Sequence, residues 1–200
     1  MREPFMDFIL RKIPSDAVLI TCGLPATNKT ETAEAIARAT GMFILRTDII
    51  RLEVLRGEDI FDGKIASDMG KREIVYDRMF LEADRLAASG KGVILDATFI
   101  TQSLRRRAAS VASRNGRAFV IEQTSAPEPY SLQKISRRSR ETYESNALTE
   151  EAYLNNKNRF QPVDLDDLKK AYPRLSIMLF SVDTASDSED GWHVIGKSGR

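Results

Sequence analysis

The chain has few of the features that mark secreted or membrane-bound proteins. It holds one cysteine among 200 residues, which excludes an internal disulfide and therefore a disulfide-stapled secreted scaffold. No apolar run approaches the ~18–20 residues of a membrane-spanning helix. The N-terminus also lacks the uninterrupted apolar centre of a signal peptide. We therefore expect a soluble protein of the cytoplasm.

An excess of charge of either sign is absent as well. The 30 Lys and Arg residues nearly balance the 29 Asp and Glu residues, which gives a formal net charge of +1. Proteins that coat nucleic acid or bind anionic membranes usually carry a clear positive excess. We therefore expect neither a stable nucleic-acid coat nor a membrane partner. The length favours one domain over residues 1–200.

Short apolar runs alternate with segments of helical period. The runs at 17–22, 42–45, 92–95, 118–121 and 177–182 are continuous, which is typical of strands buried on both faces of a parallel sheet. Between them, Gly70 to Ser89 has one apolar helix face, and Gly41 is placed to end the preceding helix. This alternation predicts an α/β fold with a doubly wound sheet.

Two segments fall outside this alternation. Residues 1–16 predict a short leading helix, either a simple extension or the remnant of a join to another domain. Residues 127–162 are polar, charged and helical in pattern, with no apolar run among them. Over a nucleotide-binding sheet, such a segment is either a mobile cover or a solvated helical hairpin, and the composition favours neither.

The segment between the first predicted strand and the first helix predicts a phosphate-binding loop. Set against the pattern G-x-x-x-x-G-K-[ST], it keeps the first Gly, the Lys and the Thr. Backbone N–H groups and the helix dipole converge on an anion at such a loop. The Lys would reach the β- and γ-phosphates of a nucleotide, and the Thr would ligate Mg²⁺. The alternative is a plain strand–helix turn. The loop comprises Gly23, Leu24, Pro25, Ala26, Thr27, Asn28, Lys29 and Thr30.

Two positions depart from the usual loop. Asn28 stands where the second Gly belongs, and Asn is enriched several-fold among non-Gly residues with positive φ. Ala26 has no such tolerance, and a non-Gly residue in the left-handed region costs on the order of 1–2 kcal/mol. About 1.4 kcal/mol corresponds to a tenfold change in affinity. We therefore expect the double variant, Ala26→Gly with Asn28→Gly, to bind ATP about tenfold more tightly. The alternative is that Asn28 is unstrained and Ala26 points away.

Two acidic residues follow predicted strand ends, where open α/β sheets bind their ligands. Asp48 can accept a hydroxyl proton, and Arg51, three residues later, can hold an anionic group. The alternative for Asp48 is a helix N-cap in a local ion pair. Asp96 ends an apolar strand in the manner of a Walker B element, which would place it beside Mg²⁺. Its alternative is a polar strand terminus.

Basic residues outside these motifs allow two interpretations. Those in the segment 127–162 could lie on a transferring phosphoryl group when the site closes, or form a solvated face paired with Glu141 and Glu144. They are Lys134, Arg137, Arg138 and Arg140. The run 105–107 is expected on the surface, opposite the apolar face of its helix. Cys22 is expected to be a buried strand residue.

Together these motifs resemble the P-loop kinases near polynucleotide kinase and the zeta-toxin kinases. The resemblance spans about residues 16–184 and rests on Gly23…Lys29-Thr30, Thr47-Asp48…Arg51, Asp96-Ala97-Thr98-Phe99 and Ala126-Pro127-Glu128…Arg138. It implies an adenylate-kinase-like sheet of five parallel strands in the order 2-3-1-4-5, with a helical lid. It further implies that Asp48 is the general base, that Arg51 binds the acceptor, that Asp96 lies near the metal or the acceptor, and that Arg138 is the lid arginine.

The leading hypothesis is an ATP- and Mg²⁺-dependent kinase that transfers a γ-phosphoryl group to a hydroxyl of a small molecule or a nucleic-acid 5′ end. Two alternatives stay open: a nucleotide-binding protein without turnover, and an NTP hydrolase that acts with a partner. Asp48 and Arg51 favour the kinase, because only a kinase needs a base and an anion holder for an acceptor.

Overall fold

A seven-stranded sheet runs through the computed structural model, which describes residues 2–58, 65, 68–137 and 149–200. The strands are β1 (Glu3–Pro4), β2 (Val18–Cys22), β3 (Phe43–Arg46), β4 (Val93–Asp96), β5 (Phe119–Ser125), β6 (Ile177–Asp183) and β7 (His193–Gly199). Their order in the sheet is β1-β7-β6-β5-β2-β4-β3. The block from β6 to β3 is parallel, whereas β7 is antiparallel to β6 and β1 is antiparallel to β7.

The five-strand sheet in the order 2-3-1-4-5 is wrong as a description of the whole sheet, because β7 and β1 extend it at one edge. The expectation of a plain helix over residues 1–16 is incomplete for the same reason, since Glu3 and Pro4 pair with His193 and Val194 before that helix begins. β1 has only two residues, and β7 buries Val194 alone while it contains two glycines. Neither has the continuous apolar run that reveals a strand buried on both faces.

Helices cover both faces of the sheet, as the α/β prediction requires. In the described part of the chain they are α1 (Phe5–Lys12), α2 (Lys29–Thr40), α3 (Thr47–Val54), α4 (Met69–Ala88), α5 (Gln102–Arg114), α6 (Glu128–Ser136), α7 (Glu150–Arg159) and α8 (Leu165–Ala171). Gly41 ends α2 in the left-handed conformation at φ 74°, as its position in the sequence predicted.

Two apolar cores lie on opposite faces of the sheet. Alternate residues of β2 enter different cores: Val18 and Ile20 pack with α4, α5 and α8, whereas Leu19 packs with α1 and α2. Because the central strands are apolar on both sides, their runs are continuous in the sequence. None of the helices in the described part of the chain combines the length and the apolar character that crossing a membrane requires.

Arg105 corrects the expectation that the run 105–107 lies on the surface. Its side chain is fully buried and donates hydrogen bonds to the carbonyl oxygens of Phe99 (2.9 Å), Gln161 (2.7 Å) and Pro162 (2.9 Å). It lies three, four and seven residues before the buried residues Ala108, Ala109 and Ala112, and therefore shares their helix face. The guanidinium group joins the loop after β4 to the segment after α7.

Candidate active site

The phosphate loop, residues 23–30, connects the end of β2 to the start of α2. A Cβ atom at Gly23 would lie 2.6 Å from Thr124 Oγ1 and 2.7 Å from Thr124 O, so a side chain cannot fit there. The Thr27 hydroxyl group lies 2.7 Å from that of Thr124 and donates to Leu24 O at 2.9 Å. The loop is therefore held against β5 as well as between the two elements that it joins.

Lys29 and Thr30 are the first two residues of α2, which begins at the carboxyl ends of the parallel strands. Lys29 Nζ donates to Leu24 O at 2.6 Å, across the loop. Thr30 Oγ1 donates to Asp96 Oδ2 at 2.7 Å, and Thr21 Oγ1 donates to Asp96 Oδ1 at 3.0 Å. The structure therefore brings together the hydroxyl group and the carboxylate that the sequence singled out as metal ligands. Hard oxygen donors of this kind fit Mg²⁺.

Asp48 lies in the first turn of α3, directly after β3. The N-cap of α3 is Arg46, so the interpretation of Asp48 as a helix cap is wrong. Burial, and then the negative charge of Asp96, raise the pKa of Asp48 to about 6, although Arg46, Arg51 and Lys29 oppose the rise. Asp48, Asp96 and Lys29 therefore share one electrostatic environment.

Arg51 follows Asp48 by one turn of α3 and is 8% exposed. Arg46, at the end of β3, is paired in register with Asp96 of β4, and its Nε lies 3.7 Å from Asp96 Oδ2. Arg138 and Arg140 lie outside the described residues.

Glu122 is a carboxylate near the phosphate loop that the sequence analysis did not single out. It faces Thr21 across the β2–β5 pairing and is fully buried. Neither of its carboxylate oxygens has a hydrogen-bond partner among the described residues. Burial, and to a lesser degree the negative charge of Asp96, raise its pKa to about 8, although the Thr32 side chain and the charge of Lys29 oppose the rise. An acidic residue directly after the apolar run 118–121 was the available signal.

Helices of the segment 127–162 pack on the phosphate loop. Ala26 forms a small apolar cluster with Ile135 of α6 and Tyr153 of α7, and Ser131 Oγ donates to Ala26 O at 3.3 Å. Lys134 Nζ donates to Glu31 Oε1 at 2.9 Å. The described part of this segment is therefore a cover on the loop, and the alternative of a free solvated hairpin is wrong for it.

Asn28 uses its side chain to tie the phosphate loop to two other segments. Its Nδ2 atom lies 2.9 Å from Thr184 O, 3.0 Å from Ser186 O and 3.1 Å from the Tyr130 hydroxyl. Its Oδ1 atom accepts a hydrogen bond from Lys134 Nζ. Asn28 and Ala26 both have left-handed backbones, with φ of 57° and 58°. Asn28 therefore supplies contacts that a glycine cannot make.

These contacts give the two departures from the usual loop opposite expected effects. We expect Asn28→Gly to destabilise the protein by about 1–3 kcal/mol, because several hydrogen bonds worth about 0.5–1.5 kcal/mol each are lost. We expect Ala26→Gly to leave the stability unchanged or slightly raised. It relieves about 1–2 kcal/mol of left-handed strain, and a backbone entropy cost of about 0.5–1 kcal/mol offsets only part of that gain. Urea unfolding of both variants measures this difference, and a more stable Asn28→Gly protein would contradict it.

Comparison with known proteins places this geometry in a family. The family model described as "AAA domain" matches residues 18–163, and no curated protein matches the chain in sequence. A putative kinase from Chloroflexus aurantiacus is 20% identical with a TM-score of 0.61, covering 86% of this chain and 90% of that one. A gluconokinase from Sinorhizobium meliloti is 17% identical with a TM-score of 0.57, covering 87% and 86%.

A third solved structure is Kti12 from Chaetomium thermophilum in complex with ADP-AlF3. It is 14% identical, with a TM-score of 0.53, and the match covers 74% of this chain and 81% of that one. At these identities the similarity concerns the fold. The family match spans most of the chain, and its residues include the phosphate loop, Asp48 and Asp96. The chain therefore belongs to the AAA_33 family of AAA domains and has the fold of P-loop kinases.

Proposed function

We propose that this protein is an ATP-dependent kinase that transfers the γ-phosphoryl group to a hydroxyl of a small molecule or a nucleic-acid 5′ end. The observation that carries the proposal is that the half-buried Asp48, directly after β3, feels the charges of Asp96 and Lys29, while Asp96 accepts a hydrogen bond from Thr30 at the start of α2. Nucleotide binding alone would require neither a second carboxylate there nor an arginine one turn away, and hydrolysis would not require the arginine, which can hold an anionic group of an acceptor. The resemblance to polynucleotide kinase and the zeta-toxin kinases supports the same chemistry, and the complex of Kti12 with ADP-AlF3 supports nucleotide binding by this fold.

Mg²⁺ fits the oxygen pair of Thr30 and Asp96, which lies at the start of α2. When bound, the metal supplies positive charge that neutralises the phosphate oxygens of the nucleotide. The backbone N–H groups of residues 23–30 would hold the β- and γ-phosphates. Lys29 would leave Leu24 O and donate to the same phosphates, so that its charge is retained in the site while its acceptor changes.

Asp48 acts on the acceptor. The acceptor oxygen forms a bond to the γ-phosphorus, the bond from that phosphorus to the β,γ-bridging oxygen breaks, and the hydroxyl proton moves to Asp48. A pKa of about 6 leaves this carboxylate ionised at neutral pH and still basic enough to take the proton. Arg138 is proposed as the lid arginine that stabilises charge on the transferring group.

The first test concerns nucleotide binding. Lys29→Ala removes the cation of the loop, so we expect it to abolish thermal stabilisation by Mg-ATP while the unliganded protein keeps its Tm. ATP at ~100 times its dissociation constant stabilises a binding protein by about 2.7 kcal/mol, which a melting curve resolves. Lys12→Ala, at the end of α1, is the control and should keep the shift.

Turnover is measured as ADP release with sugars, nucleosides and 5′-hydroxyl oligonucleotides as acceptors. Release that depends on one acceptor class supports the kinase. Release at the same rate without any acceptor indicates an NTP hydrolase instead. Binding without release across all acceptors supports a nucleotide-binding protein without turnover. If the wild-type protein shows no shift with millimolar Mg-ATP, the proposed phosphate site is wrong.

A further inference from the structure

Thr21 carries a hydroxyl group into the otherwise apolar strand β2, where its side chain is fully buried. A buried polar group of this kind has to be hydrogen-bonded. The Ala97 N–H donates to Thr21 Oγ1 at 3.1 Å. The hydroxyl proton has two acceptors, Asp96 Oδ1 and Ala97 O, each at 3.0 Å. Because a charged acceptor makes the stronger hydrogen bond, we expect this proton to point to the carboxylate of Asp96.

The two carboxylate oxygens of Asp96 therefore have different surroundings. Thr21, on the strand beside β4, holds Oδ1. Oδ2 accepts from Thr30 Oγ1 at 2.7 Å, at the start of α2, and lies 3.7 Å from Arg46 Nε. Because a carboxylate group rotates as one plane, a hydrogen bond that fixes Oδ1 also fixes the direction of Oδ2. The oxygen next to Thr30 is thus the one that Asp96 presents to the phosphate loop.

We propose that Thr21 is a positioning residue of the proposed metal centre, whose hydroxyl group fixes the Asp96 carboxylate so that Oδ2 faces Mg²⁺. This inference rests on the proposed function and adds to it a residue that acts through Asp96. Hydrogen bonds to a metal-ligating side chain orient that side chain, and their loss typically costs about 10–100-fold in metal affinity or activity.

The same hydrogen bonds also allow a purely structural role. The pairing of β2 with β4 runs from Val18 to Ile20, and Thr21 extends the contact between the two strands by satisfying the Ala97 N–H. If this were its whole role, a variant without the hydroxyl group would be less stable and would still bind the metal normally. Metal binding therefore has to be measured separately from stability.

The contribution of Mg²⁺ to nucleotide affinity separates these two roles. A non-hydrolysable ATP analogue is titrated calorimetrically into the full chain, once with EDTA and once with saturating Mg²⁺. The ratio of the two dissociation constants is the metal gain. We expect Thr21→Val, which keeps the shape of the side chain, to lower the metal gain about tenfold, while the dissociation constant in EDTA stays unchanged.

Two further variants at this position test the hydroxyl group itself. Thr21→Ala removes it without placing a second methyl group against the carboxylate, and should lower the metal gain as Thr21→Val does. Thr21→Ser keeps the hydroxyl group and should retain the metal gain of the wild type.

Two comparisons show whether Thr21 acts through Asp96. Cys22→Ala changes the next residue of β2, whose side chain packs in the core with Val18 and Ile20, and it should keep the metal gain even where it lowers the Tm. Asp96→Ala should lose the metal gain, and Thr21→Val should have no further effect in that background.

Three results would overturn this role of Thr21. The first is a metal gain in Thr21→Val and Thr21→Ala equal to that of the wild type. The second is an equal loss of affinity in EDTA and in Mg²⁺, which would make Thr21 a support of the phosphate loop alone. The third is a wild-type protein that binds the analogue equally well with and without Mg²⁺. Because the titration needs no acceptor, the expected metal gains without turnover on any acceptor would count against the proposed kinase and leave the role of Thr21 standing.

Discussion

Asp48→Asn is expected to lower kcat by about 10²–10⁴-fold, the usual contribution of a general base. The amide keeps the size of the side chain and much of its hydrogen bonding, but it cannot take a proton at neutral pH. Thermal stabilisation by Mg-ATP should persist, because Asp48 follows β3 and does not belong to the phosphate loop. The measurement is acceptor-dependent ADP release, with the melting shift recorded on the same protein.

Glu53→Gln is the matched control for that experiment. It also neutralises a carboxylate of α3, but Glu53 is exposed, so its kcat should equal that of the wild type. Equal turnover in Asp48→Asn would remove Asp48 from the mechanism. Loss of nucleotide binding together with turnover would instead show that Asp48 maintains the shape of the site.

Arg105→Met should cause the largest loss of stability, about 3–5 kcal/mol, in the range seen when one partner of a buried charged interaction is removed. Met retains much of the apolar stem, but it leaves the carbonyl oxygens of Phe99, Gln161 and Pro162 without their donor. Urea unfolding measures the change. The expected loss of stability comes from buried carbonyl oxygens that lose their hydrogen-bond donor, and not from the loss of a surface charge.

Arg106→Met separates these two causes. Arg106 is an exposed neighbour that pairs with Asp167, and exposed ion pairs contribute little. We expect its midpoint of unfolding to stay close to that of the wild type. Similar unfolding midpoints for the two variants would show that the buried hydrogen bonds of Arg105 contribute no more to stability than the exposed ion pair of Arg106 does.

The parallel part of the fold was predictable because its strands are buried on both faces. The apolar runs around β2, β4 and β5 are continuous for that physical reason. Gly41, which was predicted to end the helix after the phosphate loop, does end α2, in the left-handed conformation. Edge strands give no such signal: β7 buries one residue, and β1 gains its structure from pairing with a segment about 190 residues away. Pairing at that separation cannot be deduced from local patterns.

The candidate site, too, was predictable in part. The spacing within residues 23–30, and the positions of Asp48 and Asp96 after strands, could be recognised locally. The contacts of Asn28 with Tyr130, Lys134 and the carbonyl groups at 184 and 186 join residues 102 to 158 positions apart. The burial of Arg105 was recognisable from its spacing to Ala108 and Ala112. Of the three carbonyl groups that accept its hydrogen bonds, that of Phe99 is local, but those of Gln161 and Pro162 lie 56 and 57 positions away.

Cys22, the last residue of β2, gives the molecule a built-in chemical reporter. Its thiol is buried, lies 3.7 Å from Phe99 O, and has a pKa raised mainly by burial. A thiol in this state reacts only when the structure around it opens. Because it is the one cysteine of the chain, the rate of alkylation follows the opening of the strand that leads into the phosphate loop. Labelling kinetics can therefore monitor how tightly ligands close the centre of the sheet, with no engineered probe.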